Sequence, residues 1–236
     1  MAAGRGERLT PITDHKPKAL VEMSGSLTLL DLAIRSLRAT GLEELVIVIG
    51  YMGHKVEEAL AKQEGIRLIK NPEYWRENGY SLLRAREAVG SEDFILVMGD
   101  HLFEPRLASL AASSGPLTLC VDREPRYLPD PDEATKVRLG PGGRVEAIGK
   151  SLSTWDAYDT GVFACNELMF WAAEELSKRR FSITISDCVN FLAARGVDFK
   201  TADATGLLWS DVDTLDALEH ARKEVLPALL KRLGSR

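Results

Sequence analysis

The residues best suited to chemistry crowd the start of the chain. Ala2-Ala3-Gly4-Arg5-Gly6-Glu7-Arg8-Leu9-Thr10-Pro11 is followed closely by Lys16-Pro17-Lys18. Gly4 and Gly6 let backbone N–H groups approach phosphate oxygens, while Arg8 and Lys18 bring cations that would neutralise charge developing on a polyphosphate. An isolated Gly-x-Gly would favour a surface turn with solvated charges, so the whole string matters. Neither a GxGxxG fingerprint nor the Gly-Lys-Ser/Thr of a P-loop is present. Asp100, in Met98-Gly99-Asp100-His101, is a second candidate because it closes an apolar run.

Composition removes several other chemistries. With 236 residues, 45% hydrophobic and 28% charged, the chain reads as one soluble globular domain over residues 1–236 with a real core. The net charge is −5 and the one basic cluster is the short Lys178-Arg179-Arg180, which argues against a nucleic-acid partner. Cys120, Cys165 and Cys188 are far apart and lack CxxC spacing, and the four histidines lack HExxH spacing. Buried thiols in a reducing compartment follow, with no zinc site. No apolar run approaches the roughly 20 residues of a membrane span, and Arg5, Glu7 and Arg8 stand where a signal peptide is apolar. A cytoplasmic, non-spanning chain is the expectation.

The elements that must position these residues are legible from periodicity. Leu30, Ala33, Ile34 and Leu37 form one helical face, Leu45 to Ile49 is a strand apolar on both faces, and Val56, Ala59 and Leu60 belong to the next helix. Strands at 66–69 and 94–98 alternate with a helix at 81–89, and a short helix at 107–112 precedes a strand at 117–121. Lys136 to Leu139 and Val145 to Ile148, joined by Gly140-Pro141-Gly142-Gly143, predict a hairpin. A strand at 160–165, helices at 167–177 and 185–194, and a closing helix at 215–233 interrupted near Pro227 complete the series. The fold class is α/β: a doubly wound, mostly parallel mixed sheet, Rossmann-like, with an antiparallel hairpin excursion. Ligands of such sheets sit beyond the carboxyl ends of the strands, which is where Asp100 falls.

The string AAGxGxRLxPxT…PKAL resembles the signature of the sugar-nucleotide-type nucleotidyltransferases, which move a nucleotidyl group from an NTP to a phosphorylated acceptor and release pyrophosphate. The resemblance runs from residue 2 to about residue 220, and it implies that Ala2, Ala3, Gly4 and Gly6 cradle the nucleotide. Asn71-Pro72-Glu73-Tyr74 and Glu77-Asn78-Gly79-Tyr80-Ser81-Leu82 resemble the loop of members that use CTP, implying Asn78 and Ser81 as nucleotide contacts, although both are also ordinary helix-start residues. Asp100 resembles the family's metal aspartate, and Trp209-Ser210-Asp211-Val212-Asp213-Thr214 resembles its second metal motif. Mg²⁺ prefers such hard oxygen donors. Asp211 matches the more general position, while Asp213 is either a further ligand or the N-cap of the closing helix.

Asp122-Arg123, Glu133-Ala134-Thr135-Lys136-Val137, Ile148-Gly149-Lys150 and Trp155 to Gly161 are similar to one branch, the CTP:inositol-1-phosphate cytidylyltransferases. The resemblance implies CTP and inositol 1-phosphate as substrates, Lys150 on the acceptor phosphate, and Glu133, Lys136 and Asp159 on the acceptor side. It also implies CDP-inositol as product, a precursor of di-inositol-phosphate solutes. A covalent or functional link to a membrane CDP-alcohol phosphotransferase follows from the same resemblance. The basic end of the closing helix, Lys231, Arg232 and Arg236, fits an approach to the inner face of a membrane. Oligomeric state is left open. In the family a buried strand precedes Ala-Ala-Gly; here Met1 alone does, so the expectation is a truncated chain or a start placed too late, with a slot in the sheet.

Three alternatives stand beside this reading. Tyr74, Trp75, Tyr80, Trp155 and Tyr158 would supply cation–π faces for phosphocholine or an aminoalkylphosphonate. A sugar 1-phosphate acceptor is the second. A nucleotide-sensing module is the third, and retention of Arg8, Lys18, Asp100, Lys150 and Asp211 argues against it.

Overall fold

The computed structural model describes residues 1–234; Arg236, part of the basic chain end singled out above, lies outside the described residues. A small hairpin of β1 (Glu22–Ser24) and β2 (Leu27–Thr28) precedes α1 (Leu29–Arg38). Then come β3 (Leu45–Ile49), α2 (Gly53–Leu60), β4 (Ile66–Lys70), α3 (Asn78–Val89), β5 (Phe94–Val97), β6 (His101–Phe103) and α4 (Pro105–Ser113). The second half holds β7 (Thr118–Asp122), β8 (Lys136–Leu139), β9 (Val145–Gly149), β10 (Ala157–Cys165), α5 (Glu167–Ser177), α6 (Ile185–Ala193), β11 (Lys200–Asp203), β12 (Trp209–Asp211), α7 (Leu215–His220) and α8 (Leu226–Gly234).

β3 and β4 pair in parallel, as do β7 and β11. β10 runs antiparallel to β5 and β7, so those two share a direction with each other, and β8–β9 is the expected antiparallel hairpin. The alternation of strand side chains sends Val48, Leu96, Leu119 and Phe163 into one core with α3, α5 and α6. It sends Ile47, Ile49, Val97 and Val162 into another with α1, α2 and α4. Helices on both faces make the sheet doubly wound. Local signals agree: Thr28 and Asp31 form a capping box on α1, and Thr184 and Asp187 form one on α6. No helix among the described residues is long and apolar enough to cross a membrane.

A third core ties the closing helix to the start of the chain. Leu218, Val225 and Leu229 pack with Leu9, Val21, Leu29 and Leu32, which fixes the glycine-rich segment over the sheet. The expected interruption near Pro227 is a π-helical turn at Ala221–Val225 that joins α7 to α8; proline has no N–H to give an α-helical bond. α7 is capped by the Thr214 side chain, which accepts from the Ala217 N–H at 3.1 Å. Asp213 is therefore not the N-cap, one of the two roles open to it in the sequence.

Met1 to Ala3 thread between β3 and the end of β5. The Ala2 N–H donates to Val48 O (2.8 Å), the Tyr51 N–H to Ala3 O (3.0 Å), the Met1 ammonium to Val97 O (2.9 Å) and the Gly99 N–H to Met1 O (2.7 Å). This parallel connection stops at Met1. Below it a cavity of about 700 Å³ opens between β3 and β5, lined by Val46, Val48, Ile95 and Val97 and flanked by Leu37 of α1 and Ala85 of α3. Leu45 and Ile49 bond toward β4, so Val46 turns its N–H and C=O toward the cavity. Burial also holds the Met1 ammonium down at about 6, with Asp100 opposing that shift.

The cavity between β3 and β5 predicts a response. An apolar extension of about five residues ahead of Met1, a usual strand length, would bond to both edges and replace a buried ammonium by a neutral amide. After backbone ordering the net gain is about 2 kcal/mol, or a rise in Tm of about 4–8 °C. A Gly/Ser extension of the same length is the control. Equal melting of the two extended chains in calorimetry would contradict this account of the slot.

Candidate active site

β6 and β12 form a two-stranded ladder that sets Asp211 opposite His101, and the Val212 N–H donates to Asp100 O at 3.0 Å. This ladder, not visible in the apolar pattern, brings two aspartates 111 residues apart in sequence to one place. Lys18, in a short 3-10 turn whose Ala19 and Leu20 pack into the core with α1, α2 and α4, reaches the same point from the N-terminal segment. Its ammonium donates to Asp100 Oδ2 at 2.7 Å and to Asp213 Oδ1. Arg8 pairs with Asp213 Oδ2 and lies 3.7 Å from the exposed Glu133. Gly6 has a left-handed φ of +74°, and a Cβ there would lie 2.8 Å from the Lys18 side chain, so glycine is required for the loop to close over Lys18.

The electrostatics follow from this crowding. Burial alone would discharge Lys18, but Asp100 and Asp213 outweigh it and hold the ammonium above its usual range. Burial likewise opposes the charge on Asp100, yet Lys18 and His101 hold its carboxyl well below the usual carboxylate range. Asp211 behaves differently: burial and the neighbouring Asp213 and Asp100 push it up, against His101 and Lys18. Burial pushes Asp159 up to about 6, against the Gly161 N–H it accepts and the nearby His101. Among the described residues no three His, Cys, Asp or Glu side chains stand in a metal-holding arrangement. Lys18 itself bridges two of the carboxylates.

The sequence candidates divide into two groups. Arg8, Lys18, Asp100, Asp211 and Asp213 converge, beside the loop Ala2 to Gly6. Lys136, Lys150 and Asp159 lie along the adjoining end of the sheet, where one cross-strand row runs Gly149, Lys136, Tyr158, Asp122. Lys136 is buried, donates to Asp132 O at 3.1 Å and sits 4.7 Å over the Trp155 ring. Asn78 and Ser81 make bonds within the protein. Asn78 Oδ1 accepts from the Ile185 N–H at 2.8 Å, and buried Ser81 accepts from Asn71 at 2.9 Å. His101 and Trp209 belong to the centre and were not singled out from the sequence; the stacked pair becomes apparent only when β6 meets β12.

The arrangement is a cation-rich loop facing a set of carboxylates, suited to a polyphosphate with a divalent ion. Residues 1–132 match the family described as the MobA-like NTP transferase domain. A bifunctional IPC transferase and DIPP synthase of Aquifex aeolicus is 34% identical over 99% of this chain and 53% of its own length. One of Rubrobacter xylanophilus is 38% identical over 96% of this chain and 51% of its own length. The chain spans about half the length of these curated relatives. The solved inositol-1-phosphate CTP transferase from T. maritima superposes with a TM-score of 0.83 at 26% identity, covering 99% of this chain and 94% of that one. With residues 1–132 matched and relatives 34–38% identical over nearly its whole length, the chain belongs to the MobA-like NTP transferase family.

Proposed function

We propose that this chain transfers CMP from CTP to inositol 1-phosphate, giving CDP-inositol and pyrophosphate with the help of Mg²⁺. The observation that carries the reading is the convergence of Lys18, Arg8, Asp100, Asp211 and Asp213 next to the glycine loop. The product would feed a CDP-alcohol phosphotransferase at a membrane, fused or separate.

Backbone N–H groups from Ala2 to Gly6 would receive the triphosphate, and Arg8 would take charge on the departing pyrophosphate. An acceptor phosphate monoester, with a second pKa of about 6, is already largely dianionic at neutral pH, so its oxygen attacks the α-phosphorus in line without a general base. Lys18 and Lys150 reduce the repulsion between the two phosphates and hold them aligned. The carboxylates supply only hard oxygen donors, which fits Mg²⁺ held by Asp100 and Asp211 with Asp213 adjacent; when bound it would neutralise charge on the α-phosphate.

The choline-type reading needs open aromatic faces. Here Lys136 covers Trp155, and Arg76 lies 3.6 Å from the centre of the Tyr80 ring, so the protein's own cations already use two of the five candidate rings. Asp159, Lys136 and Glu133 would instead meet hydroxyls.

Three outcomes are expected. Lys18→Ala and Arg8→Ala should fold and lose turnover by about 10²–10³, the scale for a preorganised charge at a developing oxyanion; near-normal turnover in both would remove their role. Asp100→Asn and Asp211→Asn should raise the Mg²⁺ concentration needed for activity more than Asp213→Asn does, since Asp213 mainly holds Lys18 and Arg8. A larger metal defect at Asp213 would reverse that order. With inositol 1-phosphate and phosphocholine competing for CTP, CDP-inositol should dominate by up to about 10⁴, because hydroxyl-pairing groups are left unpaired by the analogue; CDP-choline as the main product would contradict the acceptor assignment.

A further inference from the structure

We infer that His101 is a positioning residue for Asp100: it ties one carboxylate oxygen so that the other is presented to the cleft shared with Asp211 and Asp213. His101 Nδ1 lies 2.7 Å from Asp100 Oδ1, while Oδ2 is the oxygen that meets Lys18. A carboxylate bound at one oxygen no longer swings about its side-chain torsions, and partners of this kind govern how tightly a ligand set holds its ion. The inference rests on the reading of Asp100 as a metal ligand.

The imidazole is itself fixed from several sides. Its ring lies parallel to that of Trp209, with 9° between planes and 6.4 Å between centroids. Trp209 is pinned in turn, its indole N–H donating at 2.7 Å to the buried Asp122. At the ring's Cδ2–Nε2 edge stands Gly161, in β10. A Cβ at residue 161 would lie 2.5 Å from His101 Cδ2 and 2.7 Å from Nε2, so the ring has room only because this residue is glycine. Gly161 also has φ +73° and falls where β10 changes its partner from β5 to β8. The strand irregularity, the indole and the imidazole thus form one support that ends on a single carboxylate oxygen.

The test separates this role from mere packing. His101→Phe keeps an aromatic ring against Trp209 and Gly161 but has no group to bond Asp100; His101→Asn restores a donor at about the position of Nδ1. Mn²⁺ affinity, measured from the free-ion paramagnetic resonance signal without nucleotide turnover, should fall about 10–100-fold in His101→Phe and recover largely in His101→Asn, with both variants folded by circular dichroism. Gly161→Ala, which displaces the ring, should weaken Mn²⁺ as well and serves if the Phe variant does not fold. An affinity for His101→Phe within twofold of the unmodified protein, or no recovery in His101→Asn, would overturn the inference while leaving the proposed reaction intact. Failure of the unmodified protein to bind Mn²⁺ would instead overturn the metal-ligand reading of Asp100, and the inference with it.

Discussion

The interaction on which the centre depends is the ammonium of Lys18 held between Asp100 and Asp213. A buried ammonium between two half-buried carboxylates is expensive unless the charges neutralise each other, and removing the carboxylates would leave the ammonium uncompensated in a poorly solvated site. The surrounding structure answers to that constraint. Gly6 lacks a side chain so that the loop can fold over Lys18, the β6–β12 ladder delivers Asp100 beside Asp211, and the closing helix packs on Leu9 and Leu29 to keep the loop in place. On the proposed reading, a polyphosphate and a divalent ion would replace charges that the protein already presents in balance.

The two halves of the centre are supported differently. Lys18 and Arg8 arrive on short 3-10 turns, whereas Asp211 ends β12 and Asp100 sits in the turn just before β6. The β6–β12 pairing and the Val212 N–H donated to Asp100 O tie both aspartates to one ladder, so the carboxylates form the fixed frame and the two long cationic side chains are the groups able to follow a ligand. The proposed acceptor side would be a third support: the row through Lys136 and Tyr158 extends the sheet past the point where β5 stops.

Much of this was legible in the sequence, and the reasons differ from residue to residue. The apolar runs at 45–49 and 94–98 read correctly because strands covered on both faces need continuous apolar residues. The Gly140 to Gly143 turn revealed its hairpin. β6 and β12 were missed because three-residue strands carry too little periodicity to register. β1, β2 and β11 escaped for a similar reason, being short and partly exposed. At the site, charge and spacing pointed to Lys18 and Asp100, but a carboxylate next to a helix start reads equally as a cap, and the actual cap at Thr214 emerged only from the hydrogen bond it makes. His101 gave no signal, since its role exists only through Trp209 and Gly161, which are distant in sequence.

The most direct measurement is a crystal structure of the chain with CTP and Mg²⁺. The account predicts the triphosphate against the backbone of Gly4 to Gly6, an ion between Asp100 and Asp211, and Lys18 moved from its carboxylate partners onto a phosphate oxygen. Nucleotide bound away from that loop, or bound there with Lys18 still seated between Asp100 and Asp213, would contradict it.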